Sequence, residues 1–408
     1  MNPTPRPFRW FVVALLFALA ALNYLDRQTL SVLWPELQRS FGYTPVQYSY
    51  VICAFLAAYT LGYVFCGRLI DRWGVRVAVA ASLAVWSLAG LSHALVSTWV
   101  GLACCRFALG LGESFNAPCG MKAVAEWVPE RQRALSMAIF SNGYIVGSIL
   151  APPLVTLVAL RFGWKWGFVT TGSLGFLYLA VWLLVYRDRG APPVAPTVST
   201  PGPTFWQALA EPACLAFVLA RFLTDSLSYF LSFWLPAYLH SAHGFTLAKI
   251  GIYGWIPFVA STIGGPGGGA LSDWLVRRGV PPIVARQRML LGAACVMPLA
   301  LVAVRVDSAG WAIGLIALLL GAQSCWLSNL MTSMAEIFPL RSLGTYAAVA
   351  GMGGSLGGMI TNLLAGQVIH AVGYGPVFTT LGFLHLAAFA ILRRRALRRA
   401  PAAIAVAG

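Results

Sequence analysis

Gly67-Arg68-Leu69-Ile70-Asp71-Arg72-Trp73-Gly74-Val75-Arg76 lies between two long apolar runs, and a shorter copy, Gly269-Ala270-Leu271-Ser272-Asp273, lies between two others. Arginines follow each copy: Arg72 and Arg76 in the first, Arg277 and Arg278 in the second. The copies are 202 residues apart (269 minus 67). A second pair follows in the same order. Ala125-Glu126-Trp127-Val128-Pro129-Glu130-Arg131 recurs as Ala335-Glu336-Ile337-Phe338-Pro339-Leu340-Arg341, and Gly143 and Gly147 recur as Gly353 and Gly357, both at an offset of 210 (335 minus 125, 353 minus 143). Matches in one order at nearly one spacing predict two parallel six-helix halves, an architecture of transporters that rock around a site at the membrane midplane.

Composition points the same way. Of 408 residues, 59% are hydrophobic and only 10% charged, and apolar runs of about 20 residues, enough to cross a bilayer, recur along the chain. Lipid-exposed sheet edges would leave backbone groups unsatisfied, and the runs are too long for barrel strands. The expected fold is an all-α polytopic membrane protein with twelve transmembrane helices in two pseudo-symmetric six-helix bundles. The predicted spans are 9–33, 46–67, 77–95, 98–121, 134–159, 166–185, 209–238, 250–271, 287–304, 310–334, 343–370 and 375–392. They give an N-terminal bundle over 1–186, a cytoplasmic linker over 187–208, a C-terminal bundle over 209–392 and a basic tail over 393–408. In the linker, Gly190-Ala191-Pro192-Pro193 and the prolines from Pro196 to Pro203 break any helix. Asp26 and Arg27 stand where a signal-peptide cleavage site needs small residues, so the first span is read as retained.

The net charge of +16 raises the question of a nucleic-acid partner. Placement answers it. With both termini in the cytoplasm, only Arg39, Arg161, Lys165, Lys249 and Arg305 fall outside and Arg27, Arg106 and Arg221 fall within the membrane, so the excess follows the positive-inside rule and no nucleic acid is needed. The eight cysteines are scattered, without a C-x-x-C or histidines at metal-ligand spacing, so they read as packing residues and no metal or cofactor is expected. His93, His240, His243, His370 and His385 are read as interfacial or packing residues, with a proton relay as the alternative. No nucleophile and base are arranged for catalysis. Gly264-Gly265-Pro266-Gly267-Gly268-Gly269 lies in an apolar run and does not follow a strand, so a nucleotide site is not indicated and an enzyme is not expected.

Asn23-Tyr24-Leu25-Asp26-Arg27 places an acid and a base at membrane depth, where an isolated charge costs roughly 3 kcal/mol on insertion scales. The i, i+3, i+4 spacing of Asn23, Asp26 and Arg27 predicts a single polar face. Arg106 and Glu113 are seven apart, two turns or about 10 Å along one helix face, so they can look into the same cavity without pairing directly; a structural ion pair is the alternative. A guanidinium grips a carboxylate through two parallel hydrogen bonds, which suits anion capture. A carboxyl in such a cavity is pulled toward its neutral form by desolvation and toward the ion by a nearby arginine, so its charge can depend on which side the cavity opens. In the second half, Arg221 and Asp225 are i, i+4, a mutually satisfied pair or a substrate-facing one. Tyr24, Tyr59, Tyr229, Gln323 and Asn329 can bond substrate hydroxyls or neighbouring helices. Gly67, Asp71, Arg72, Arg76 and Asp273 are read as a gating latch, against a plain tight loop with solvated charges. Gly143, Gly147, Gly353, Gly357 and Gly358 predict close helix crossings, and Pro152 and Pro153 a bend.

The Gly67 to Arg76 element and its echo resemble the signature loop of the major facilitator superfamily, over essentially the whole chain. Asn23 to Arg27, the Arg106 to Glu113 pair and Ala151-Pro152-Pro153 resemble its anion:cation symporter family. Arg221-Phe222-Leu223-Thr224-Asp225, Phe233-Trp234-Leu235-Pro236 and Gly351 to Gly358 resemble the hexuronate-transporter branch. The resemblance implies proton-coupled symport of a sugar acid, a hexuronate or related organic anion, across a bacterial inner membrane; a twelve-helix chain with a complete two-half cavity has no evident need for a second subunit, so a monomer is expected, with no cofactor. Arg27 would bind the carboxylate, Asp26 and Glu113 would carry protons, and Tyr24, Tyr59, Arg106, Gln323 and Asn329 would line the substrate. Sugar-acid relatives often carry a glutamine in the fifth span, where this chain reads Ser141-Asn142-Gly143-Tyr144. A proton-coupled drug or metabolite exporter of the same fold is the competing function, and a receptor that has lost transport a third.

Overall fold

The computed structural model describes residues 6–188, 203–339 and 342–397. Most of the predicted linker, Arg341 and the tail beyond Leu397 lie outside the described residues. No strand occurs among those residues; the main elements are α1 (Arg6–Phe41), α2 (Pro45–Ser92), α3 (Trp99–Glu113), α4 (Asn116–Trp127), α5 (Glu130–Phe162), α6 (Trp164–Val185), α7 (Phe205–Ala210), α8 (Pro212–His243), α9 (Leu247–Tyr253), α10 (Ile256–Arg277), α11 (Pro282–Val296), α12 (Ala300–Ala303), α13 (Ala309–Ile337), α14 (Leu343–Val372) and α15 (Gly375–Leu392).

α2 begins at a capping box, in which Thr44 and Gln47 exchange side-chain and backbone hydrogen bonds. Its 48 residues would make a straight helix about 72 Å long at 1.5 Å per residue, more than twice the ~30 Å of bilayer hydrocarbon. Gly74 resolves the mismatch. Its φ of 78° and ψ of 167° lie where a side chain would be strained, so the chain turns back there and α2 is two passes. α3 and α4 form one further pass broken between Glu113 and Asn116. Ten stretches of the described residues are long and apolar enough to cross a membrane. Dividing α2 at Gly74 and adding α3 with α4 gives the twelve predicted passes. α5 continues through Pro152 and Pro153 as one helix.

The chain forms two compact units, Met1–Thr197 with Phe233–Trp255, and Val198–Ser232 with Ile256–Gly408. The second half of α8 thus packs within the first unit, whereas the sequence reading assigns all of it to the C-terminal bundle. Hydrogen bonds give the reason: Ser31 Oγ and Tyr48 OH each donate to the carbonyl of Phe233 at 2.7 Å. Trp234 packs edge-on against Tyr48, and Gly251 of α9 sits on Thr156 of α5. The second unit has its own apolar core around Phe217, Trp326, Leu330, Met334 and Phe338.

The repeat is visible in the packing. Gly143 and Gly147 of α5 lie against the carbonyls of Phe17 and Ala21 on α1, while Gly353 and Gly357 of α14 lie against those of Val218 and Phe222 on α8. The contacted carbonyls are 201 residues apart in both cases (218 minus 17, 222 minus 21). A side chain at any of these glycines would run into backbone, so the predicted close crossings are present. Gly358 similarly abuts the Tyr229 ring. Gly67 differs, with no atom within 4 Å of the position a Cβ would take. Gly147→Val and Gly357→Val are therefore expected to destabilise the protein by roughly 1–3 kcal/mol or more through overpacking, read as a lower thermal midpoint in detergent. Gly67→Ala, which meets open space inside the helix, should leave that midpoint unchanged or raise it slightly.

Candidate functional site

α3 is held to both passes of α2 by small-residue contacts. Gly110 sits on the Phe55 carbonyl and Gly112 against Trp86 and the Ser82 carbonyl. This close seating brings Glu113 to α1, where Arg27 Nε and Nη2 both donate to Glu113 Oε2, at 3.1 and 2.9 Å. Arg27 is 5% exposed and Glu113 0%. Three rings close around the guanidinium: its Cζ lies 4.6 Å from the centre of Tyr24, 4.9 Å from Phe55 and 4.8 Å from Tyr59. Such contacts add about 0.5–2 kcal/mol each when desolvated. Tyr144 extends the aromatic wall, 5.0 Å from Tyr24, and the Tyr59 and Tyr63 hydroxyls are 3.1 Å apart.

Arg106 does not pair with Glu113. Its Nη1 donates to the Arg27 carbonyl at 3.2 Å, Nε has no hydrogen bond, and no described carboxylate lies within the 4 Å of an ion pair. The group is nonetheless 2% exposed. A buried cation in no direct ion pair is costly, and the nearby charges of Glu113 and Asp26 offset part of that cost.

Asn23 stands beside Glu113, but Asp26 turns elsewhere. One Asp26 oxygen lies 3.9 Å from the Cβ position of Gly90 on α2, and Thr171 of α6 stands beside the carboxyl. Neither oxygen makes a hydrogen bond of regular geometry. The single polar face expected from the sequence is thus split. Arg27 is one residue, or about 100° of helix, beyond Asp26, and that rotation sends the two side chains into different spaces.

In the second unit, Arg221 Nε and Nη2 both reach Asp225 Oδ2 at 2.6 Å, the mutually satisfied pairing. Gln323 Oε1 bonds His385 Nε2, and Asn329 Nδ2 donates to the Cys325 carbonyl at 3.0 Å. Of the residues expected to form a latch, Asp71 pairs with Lys122 at 2.8 Å and Arg76 Nη2 donates to the Leu183 carbonyl, while Arg72 is exposed. Asp273 pairs with Arg286 at 2.8 Å, and Arg286 also reaches Glu336 at 3.2 Å. Sequence reasoning passed over Phe55, Arg286 and Glu336 in these roles. For Glu336 the available signal is its recurrence, with Glu126, beside the loop arginines. Among the described residues no group of three His, Cys, Asp or Glu could hold a metal.

The sequence model of the Major Facilitator Superfamily matches residues 16–361. The chain is 27% identical to the hexuronate transporter of Escherichia coli (strain K12) over 398 residues, 93% of this chain and 91% of that protein. It is 30% identical to the galacturonate transporter of Dickeya chrysanthemi, over 63% of this chain and 79% of that protein. A probable galactarate/D-glucarate transporter of Bacillus subtilis (strain 168) is 25% identical over 90% of this chain and 86% of its own. Among solved structures, a bacterial homologue of the human lysosomal transporter Spinster, inward-facing and unoccupied, superposes with a TM-score of 0.75 at 19% identity, covering 97% of this chain and 98% of that one.

The ion pair yields a stability test. Removing one partner of a buried pair typically costs 3–5 kcal/mol, while replacing both with apolar groups is often neutral. Glu113→Leu alone should therefore lower the unfolding midpoint more than the double variant Arg27→Met/Glu113→Leu, a non-additivity that a double-mutant cycle in detergent measures.

Proposed function

Because the chain belongs to the major facilitator superfamily, we propose that it is a secondary active transporter carrying a sugar acid, a hexuronate or related organic anion, together with protons across a bacterial inner membrane by alternating access. The chain is not an enzyme, as its relatives are transporters. One observation carries the reading most directly. A guanidinium bound to a single carboxylate is buried among tyrosines, in a chain alignable with sugar-acid transporters over nine-tenths of its length.

The chemistry follows from competition for Arg27. A substrate carboxylate can take the guanidinium only if Glu113 releases it, and a proton on Glu113 removes the charge that holds the pair. Protons arriving on Asp26 and Glu113 from outside free Arg27 for the anion, with Arg106 as a second cation. Closure follows, and proton loss inside restores the pair and expels the anion. Tyr24 and Tyr59 offer hydroxyls to the sugar and ring faces to its C–H edges. Gln323 and Asn329 complete the assigned substrate contacts, and unchanged uptake affinity in Asn329→Ala would remove Asn329 from the set.

The ion pairs of Asp71 and Asp273 act in this reading as latches at the cytoplasmic ends, with Gly67, Arg72 and Arg76 shaping the first. Both termini are cytoplasmic, as the distribution of arginines supports. The working unit is a monomer in the lipid bilayer, with the organic anion and protons as partners.

In proteoliposomes, Glu113→Gln should abolish proton-driven accumulation while retaining counterflow exchange; unchanged accumulation overturns the proton role. Radiolabelled uptake across a panel of uronates, aldonates and aldarates, with and without an uncoupler, identifies the anion and tests coupling together. Uptake indifferent to the uncoupler excludes symport with protons.

A further inference from the structure

His93 follows the second pass of α2 and is 1% exposed, although Leu95, two residues on, is 86% exposed. It lies three residues beyond Gly90, the residue against which Asp26 rests, and so about 4.5 Å further along the same helix face. α6 repeats this layering. Phe168 stacks on the His93 ring with centroids 4.9 Å apart, and Thr171, three residues on, stands beside Asp26. The imidazole and carboxyl therefore occupy successive layers of one seam between α1, α2 and α6.

The polar atoms of this seam are unmatched. His93 Nδ1 is 2.7 Å from the Ala89 carbonyl, so it carries the hydrogen of a neutral ring, and Nε2 presents a bare lone pair with no partner. Neither Asp26 oxygen makes a hydrogen bond of regular geometry, and Arg106 Nε makes none. Buried polar groups in this condition are ordinarily satisfied by internal water. Charged groups act on the seam from two neighbouring elements, Asp26 from α1 and both Glu113 and Arg106 from α3; α6 contributes Phe168 and Thr171, which do not titrate in the physiological range.

We propose that His93 is the entry relay through which protons from the outer face reach Asp26, by water held in this seam and apart from the cavity around Arg27. This rests on the proton-coupled reading above. An external proton adds to Nε2 and forms an imidazolium. The Nε2–H then passes its proton through water to the Asp26 carboxylate, which regenerates the neutral ring. The fixed charge of Arg106 opposes a lasting second cation, so the proton is handed on. Arg27 and the tyrosines take no part in this transfer and remain available to the anion.

The test uses the full chain in proteoliposomes and reads the ratio of proton-driven accumulation rate to counterflow exchange rate. His93→Phe keeps a flat ring against Phe168, and His93→Gln keeps a polar group able to hold water but not to carry a proton. Both are expected to lower the ratio about tenfold, a modest part of what a positioned proton carrier can contribute. A structural defect lowers both rates together and leaves the ratio at its wild-type value. A wild-type ratio in both variants, or in His93→Gln alone, overturns the relay. Glu113→Gln run in parallel separates the two levels. If it stays fully coupled, the symport reading fails; if it uncouples while both His93 variants keep the wild-type ratio, only the relay fails.

Discussion

The buried pair between Arg27 and Glu113 is the constraint on which the first unit is arranged. Neither charge is tolerable alone at that depth, and together they hold only if α1 and α3 meet with near-fixed geometry. The glycines supply it. Gly143 and Gly147 fix α5 on α1, while Gly110 and Gly112 fix α3 on the two passes of α2. A pair supported in this way is rigid in position but conditional in charge. A proton on Glu113 would remove the charge that holds the pair.

The neighbouring Asp26 shows how one helix can serve two compartments. Arg27 enters an aromatic wall of Tyr24, Phe55 and Tyr59, whereas Asp26 enters a seam between helices that contains unmatched polar atoms. Placing a guanidinium and a carboxyl on consecutive residues couples them through a single backbone segment while each meets different neighbours. The hydrogen bond from Arg106 to the Arg27 carbonyl joins the two spaces, since a shift of that segment moves both side chains and their shared neighbour.

The fold was legible because its determinants are periodic or repeated: apolar runs of bilayer length, an echoed loop, and glycines at matching offsets. The separation of Asp26 from Arg27 was less so. Helical spacing says which residues share a face to within a turn, but not which neighbouring helix each one meets, and one residue of rotation decided the matter. Packing of Phe233–Trp255 with the first unit was also not readable, because it depends on the Phe233 carbonyl meeting Ser31 and Tyr48. No local pattern encodes such a partner. His93 was hidden for a related reason: proximity to a helix end suggested an interface, while burial came from Phe168 on another helix.

The two halves share crossings but not chemistry, and the divergence lies at corresponding positions. Where Tyr24 meets Tyr144 in the first unit, Asp225 meets Gly354 in the second, at offsets of 201 and 210 (225 minus 24, 354 minus 144). The bulky pair in one half extends the wall around Arg27. The glycine in the other leaves room for Asp225 to be held by Arg221 within its own helix. An i, i+4 pair on one helix asks nothing of a second helix, whereas the pair between α1 and α3 breaks if either helix moves. The fully buried inter-helix pair therefore lies in the first half, while the second carries the intrahelical pair and the more exposed inter-helix pairs of Arg286. A duplicated scaffold in this way keeps matched helix crossings while the side chains at corresponding positions diverge.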